Sequence, residues 1–377
     1  MKAALAAPLA AIGDGVATVG RHLADIGREV AGIRFAGARA RACTTAALSV
    51  VLAVTLAQRA GFDDVWWAGI SGFMASQATR PASVQRSLLR IVSTVIGAAL
   101  GCVAMSLFAY DHVALCLFLF VTGTVGVLGL SVSAYGYAWL FGGLTANMII
   151  MMAMLDPTQT PYIAFDRLAE VSIGCLAAVL MATLLAPETG AAPAPAQAPG
   201  WSDLLGARWP AVEHAVRSGA TIMLLPVIWN LFNLPSLAQM AVTVAAVMAV
   251  PVTTDDPRAM GRTVIGRSEL RLLGCLCGGT LGLLCLALPL TSYPLWLAVL
   301  FAGIWVSAYV GASTRSVGYA GIQATIVFLM TLVQGNGPPS SILPGIDRFA
   351  GITGGLAVLL VIGLVLWPSP KDAEAGR

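Results

Sequence analysis

The chain has 377 residues, 58% of them hydrophobic and only 10% charged, with a mean hydropathy of +0.84 and a formal net charge of +3. So few charges cannot cover the surface of a water-soluble domain of this length, which excludes that class. The apolar residues instead fall in long blocks close to the ~20 residues a bilayer-crossing helix requires.

Lys2 precedes an Ala-rich start, but Pro8, Gly13 and Asp14 break the apolar run early, so no cleavable signal peptide is expected. Over 16–33, Val16, Val19, Leu23, Ile26, Val30 and Ile33 recur at three- and four-residue spacing, with Arg21, Arg28 and Arg34 between or just beyond them. That pattern predicts an amphipathic helix on the inner leaflet. Six spans follow at roughly 41–58, 64–79, 88–108, 113–131, 137–155 and 163–186. The stretch 187–200 is a Pro/Ala linker without helical pattern, and Trp209, Val212 and Val216 mark a second surface helix. Six more spans are expected at roughly 215–233, 236–251, 270–289, 294–312, 317–334 and 348–367, the second and eighth of the twelve being short.

Placing the N-terminus in the cytoplasm leaves Arg59, Arg167 and Arg348 as the only basic residues on the outer side. The clusters Arg80, Arg86, Arg90 and Arg258, Arg262, Arg267, Arg271 then lie inside, as the positive-inside rule requires. Both termini are expected in the cytoplasm of a bacterial inner-membrane protein.

The halves align at an offset of 181 residues. Arg86-Ser-Leu-Leu-Arg90 matches Arg267-Ser-Glu-Leu-Arg271, and Gly97 and Gly101 match Gly278 and Gly282. Asp166-Arg167 matches Asp347-Arg348, Gly174 matches Gly355, and Gly136-Tyr137-Ala138 matches Gly318-Tyr319-Ala320 with one residue of slip. An even number of spans per copy makes the repeat parallel. The expected architecture is all-α: twelve transmembrane helices as two parallel six-helix units, pseudo-two-fold symmetric about the membrane normal, with a solute route at their interface. The domains are an interfacial segment 1–38, a first unit 39–187, a cytoplasmic linker and surface helix 188–213, a second unit 214–368 and a tail 369–377.

Arg90 and Arg271 sit at the inner mouth of matching spans, where they either draw anionic substrates inward or simply anchor the topology. Gln77, Asn147, Gln239 and Gln323 are amides at span depth that line a polar path or bond helix to helix. Trp66, Trp67 and Trp229 lie near outer ends, as interfacial anchors or as stacking surfaces for an aromatic substrate, Trp67 above all. Near the outer start of span six, Glu170 is one turn beyond Asp166, with Arg167 three residues before Glu170. Glu170 carries a coupling proton on one reading, and on the other the group is an interfacial ion pair. Gly97, Gly101, Gly278 and Gly282 are spaced for close helix packing.

The seven cysteines fall inside spans without a C-x-x-C pair, and His22, His112 and His214 are scattered, so no disulfide framework, metal site or cofactor is expected. Asp255 and Asp256 with Arg258 and Arg262 read as a solvated loop cluster. There is no Walker, G-x-S-x-G or H-E-x-x-H motif, so no enzyme and no built-in ATPase is expected.

Trp66-Trp67 opens a span ending in Ser76-Gln77-Ala78-Thr79, and Arg90-Ile-Val-Ser93-Thr94-Val-Ile-Gly97 follows a short basic loop. The second copy reads Arg271-Leu-Leu-Gly274-Cys-Leu-Cys-Gly278. These resemble the R-x-x-G-T-x-x-G signature of the fusaric acid resistance protein-like family, within the aromatic acid exporter superfamily. Arg167-Leu-Ala-Glu170-Val-Ser-Ile-Gly174 resembles that family's R-x-x-E-x-x-x-G ending. The likeness spans most of 39–187 and, more loosely, 214–368. Ser93 replaces the first Gly of the signature, Cys275 its Thr, and Gly351 stands where the first copy has Glu170. The linker here replaces the large cytoplasmic domain many relatives carry.

The resemblance implies export of aromatic carboxylic acids or similar organic anions, in some relatives with a periplasmic membrane-fusion adaptor. The expected partners are therefore a small organic anion, the lipid bilayer and such an adaptor; a homo-oligomer stays open, and nucleic acid is not among them. A passive organic-anion channel and a non-transporting scaffold subunit are the alternatives to a proton-driven exporter.

Overall fold

Among the described residues thirteen α-helices occur: α1 (Lys2–Ala31), α2 (Ala38–Arg59), α3 (Trp66–Ala75), α4 (Arg80–Phe108), α5 (His112–Val132), α6 (Gly136–Ala153), α7 (Thr160–Leu185), α8 (Trp209–Phe232), α9 (Leu237–Met248), α10 (Pro257–Leu286), α11 (Tyr293–Gly311), α12 (Gly318–Leu332) and α13 (Leu343–Leu366). The computed structural model describes residues 2–188, 200–202, 204–206, 208–234, 237–252, 257–288, 290, 292–335, 337, 341 and 343–366, with side chains from 17 to 362 apart from 257, 258 and 344. Asp255, Asp256, most of the Pro/Ala linker and the tail lie outside the described residues. No strand occurs among the described residues.

Local chemistry sets the helix ends. The Asp111 carboxylate accepts from the Ala114 amide at 3.0 Å and caps α5. Asn233, in the left-handed conformation with φ 49°, stops α8. Pro81 opens the first turn of α4, where its missing N–H costs nothing.

Nine of the described helices are long and apolar enough to cross a bilayer. The remaining three of the twelve expected spans are shorter. α3 has 10 residues, α9 has 12 and α12 has 15. At 1.5 Å per residue α3 reaches about 15 Å, half the hydrocarbon thickness. Shortness was expected of the second and eighth spans but not of α12, which was read as 317–334.

Two other boundaries change. α4 begins at Arg80 rather than 88, and α10 at Pro257 rather than 270. Polar residues end a hydropathy window without ending a helix, so Arg86, Arg90, Arg267 and Arg271 sit on helices and not in loops. Likewise α8 runs unbroken from Trp209, so Trp209, Val212 and Val216, expected on a surface helix, are its first turns.

α4 packs on α6, and α10 on α12. A Cβ at Gly97 would meet the Gly142 carbonyl oxygen and Thr145, and one at Gly278 would meet the Ala324 backbone. Gly101 faces Ile149 as Gly282 faces Thr331. The two sets of partners are separated by one and the same interval. The halves meet chiefly where α5 packs on α8 and α2 on α11, with α6 on α9 beside them. Between α2 and α11, Trp305 Nε1 donates to Thr44 Oγ1 at 3.0 Å, and the Tyr293 hydroxyl donates to Gln58 Oε1 at 2.8 Å.

α1 (Lys2–Ala31) is longer than the expected 16–33 helix. Ile26 and Ile33 are half-buried, whereas Val19, Leu23 and Val30 are exposed. The docked side is acidic: Asp25 and Glu29 each lie 3.0 Å from Arg315, and Glu29 lies 2.6 Å from Arg39. These ion pairs hold the acidic side of α1 to the protein and leave Val19, Leu23 and Val30 outward.

Candidate functional site

A cavity of about 430 Å³ lies between the halves, walled by α3, α4 and α6 from the first and by α9, α10 and α12 from the second. Helical spacing decides what lines it. Arg86 and Arg90 are four residues apart on α4, and Tyr137 and Phe141 are four apart on α6, so each pair shares a face. The Arg86 guanidinium lies 3.6 Å from the Tyr137 ring centroid, and Arg90 lies 4.0 Å from that of Phe141. In the second half Arg267 lies 4.1 Å from the Tyr319 ring, while Arg271 donates to Gln323 Oε1 and, at 3.1 Å, to Thr243 Oγ1.

Four arginines thus line the cavity, with no Asp, Glu or Lys among the lining residues. Apart from the amides of Gln239 and Gln323, the rest of the wall is apolar or aromatic, including Trp66, Trp67, Ile70, Leu144 and Ile326. A guanidinium removed from water needs an anion or hydrogen-bond acceptors, because desolvation favours its charge being matched. Arg90 and Arg271 are 5% and 4% exposed. Arg90 Nε and Nη1, Arg86 Nε, Arg271 Nε and the Tyr137 hydroxyl make no hydrogen bond within the protein. Their counterparts Arg267 Nε and the Tyr319 hydroxyl both donate to the Ala246 carbonyl, at 3.0 and 3.1 Å. Unmatched donors therefore concentrate on the first-half wall. Such a site suits a ligand that only accepts, as a carboxylate does.

At the α3 end of the cavity the indoles of Trp66 and Trp67 are 4.2 Å apart. Arg167 on α7 lies 4.1 Å from the Trp67 ring, and Arg348 on α13 lies 4.7 Å from the Trp66 ring. Arg167 Nη1 is 3.1 Å from Glu170 Oε2, and Glu170 is 1% exposed. Its Nη2 is 4.0 Å from Asp64, whose other oxygen accepts from Trp66 Nε1 at 3.0 Å. Asp166 is half-buried and turns to the Tyr162 hydroxyl instead of joining the Arg167–Glu170 pair.

Of the residues singled out in the sequence, Arg90, Arg271, Gln239, Gln323, Trp66 and Trp67 meet at the cavity. Gln77 does not: it sits beyond α3, its side chain donating to the Met74 and Ser76 carbonyls at 3.2 and 2.9 Å. Asn147 is also elsewhere, buried with its Oδ1 accepting from Thr122. Gly97, Gly101, Gly278 and Gly282 hold helices together and do not line the cavity. Among the described residues no cluster of metal-ligating side chains occurs, and His214 is buried against the Met248 carbonyl at 2.9 Å.

Sequence reasoning had used Arg86, Arg267, Tyr137 and Tyr319 only for sidedness and repetition. Their signal was present as an Arg-x-x-x-Arg on one helix and a Tyr-x-x-x-Phe or Tyr-x-x-x-Gln on another, in both halves. Asp64 carried no such signal.

A family model described as fusaric acid resistance protein-like matches residues 52–181. That segment runs from α2 to α7 and contains Arg86, Arg90, Trp67, Arg167 and Glu170; the looser likeness over 214–368 lies outside the match. Neither the curated proteins nor the solved structures give a match.

Proposed function

We propose that this chain, whose residues 52–181 match the fusaric acid resistance protein-like family, is an inner-membrane exporter of aromatic carboxylates or similar organic anions driven by the proton motive force. The observation that carries the reading is the four-arginine, acid-free cavity between the halves, with aromatic rings against three of the four guanidinium groups. A carboxylate satisfies the free donors of Arg90, and the apolar wall accepts a ring. The twelve apolar helices form two parallel six-helix units about an axis along the membrane normal. The matched contacts of Gly97 with Gly278 and of Arg86 with Arg267 support that arrangement. The N-terminus is cytoplasmic, which puts Arg86 and Arg267 at the inner mouth and the Trp66–Trp67 pair at the outer end. Glu170, paired with Arg167 near that end, is the coupling carboxylate.

The test is export of a labelled aromatic acid from cells with and without the gene and with an uncoupler. Retention on gene loss and on uncoupling is expected, and indifference to both defeats the reading. A passive anion channel is the second reading, favoured by one feature: Glu170 is not among the cavity-lining residues. Measured per folded chain, flux in Glu170→Gln stays intact for a channel and is crippled for a carrier coupled through this carboxylate.

A further inference from the structure

The two halves treat one arginine differently. In the first, the Arg167 guanidinium is matched by Glu170 three residues on, at 3.1 Å. At the corresponding place in the second half, three residues after Arg348, stands Gly351, which is buried and supplies no carboxylate. Arg348 donates to the Met330 carbonyl and lies over Trp66. Among the described residues no acid is within ion-pair distance of it, and Asp64 acts on it only from further away. Met330 and Trp66 both line the central cavity, so Arg348 adjoins it.

We infer that Arg348 is a second anion seat, in which the carboxylate of a passing organic anion takes the place Glu170 fills in the first half. This rests on the central cavity being the anion's route. The protein's own Arg167–Glu170 pair is the template for the geometry: a carboxylate on the guanidinium, beside an indole face. The Trp66 ring gives an aryl group a stacking surface there, worth having only for a ligand with both parts. The seat makes the route a two-station one, Arg90 with Arg271 first and Arg348 second, so an anion leaves the deep site without returning to an uncompensated apolar wall.

The test is calorimetric titration of the purified full chain with benzoate. Wild type is expected to bind two ions per chain. Gly351→Glu supplies an internal partner for Arg348 and is expected to bind one; the neutral Gly351→Gln is expected to keep two. The reciprocal change, Glu170→Gly, frees Arg167 and is expected to add a third, which keeps the inference testable if Gly351→Glu does not fold. The double variant Arg90→Ala/Arg271→Ala is expected to retain one ion, lost on adding Arg348→Gln. Wild-type stoichiometry in Gly351→Glu, or residual binding indifferent to Arg348→Gln, overturns the second seat and leaves the central site standing. Unaltered binding in Arg90→Ala/Arg271→Ala removes the central site instead.

Discussion

Arg167 Nη1 and Glu170 Oε2 are 3.1 Å apart, and the two side chains are only 5% and 1% exposed. A buried pair of this kind adds little net stability, since desolvation offsets attraction, but breaking it leaves one charge unmatched. Glu170→Gln is therefore expected to destabilise the chain by about 3–5 kcal/mol, and Arg167→Gln/Glu170→Gln to recover most of that loss. Thermal unfolding of the purified single and double variants measures it. A double change that costs the sum of the two single changes would show that the two side chains act independently.

Arg90 and Arg271 separate substrate binding from topology anchoring. If they bind anions, Arg90→Ala weakens benzoate binding by roughly 10- to 100-fold, the worth of a charge-assisted hydrogen bond or two. Arg271→Ala does less, because Gln323 and Thr243 already share its hydrogen bonds. Cysteine accessibility of the loops is unchanged in both variants. Altered accessibility with unchanged affinity would assign both residues to orientation alone.

How much of this was legible in the sequence differs by feature. The helices were, because apolar blocks of bilayer length announce themselves. The α12 boundary was not, since hydropathy continues through Val333, where the backbone turns extended and the helix ends. Arg90 and Arg271 were found because the repeat and the motif both mark them. Their partners Phe141 and Gln323 sit about fifty residues away on another helix, and only packing brings them together. Gln77 looked like a span amide and is instead tied to the backbone where α3 ends. The side on which α1 docks was not legible, because Glu29 pairs with Arg315, far along the chain, as well as with Arg39.

The glycine contacts predict graded costs. A Cβ at Gly97 meets the backbone oxygen of Gly142, which cannot rotate away, whereas at Gly101 it meets the Ile149 side chain at 2.9 Å. Gly97→Ala is expected to cost about 1–3 kcal/mol by overpacking, and Gly101→Ala less. Thermal unfolding in detergent should rank them in that order; the reverse ranking would contradict the α4–α6 packing.

The docking of α1 should depend on pH through Glu29. Burial raises its pKa, but hydrogen bonds from Arg39 and Ser313 and the charges of Arg39 and Arg315 outweigh burial and hold the carboxyl below its ordinary value. A carboxyl with a lowered folded pKa contributes stability that is complete above its unfolded value and is lost as pH falls through the lowered one. Proteolytic cutting within α1 is thus expected to stay slow at neutral pH and to accelerate only on acidification below the usual carboxylate range. Glu29→Gln should be cut faster at neutral pH. Equal cutting of Glu29→Gln and wild type at neutral pH would show that the carboxylate does not hold the helix.

Passage through the arginine-lined cavity can be read from one engineered thiol. Leu140 lines it from α6, and none of the native cysteines does. Leu140→Cys chains in proteoliposomes, treated with a bulky thiol reagent, are expected to lose benzoate flux, with benzoate itself slowing the labelling. Complete labelling with flux undiminished would place the route elsewhere.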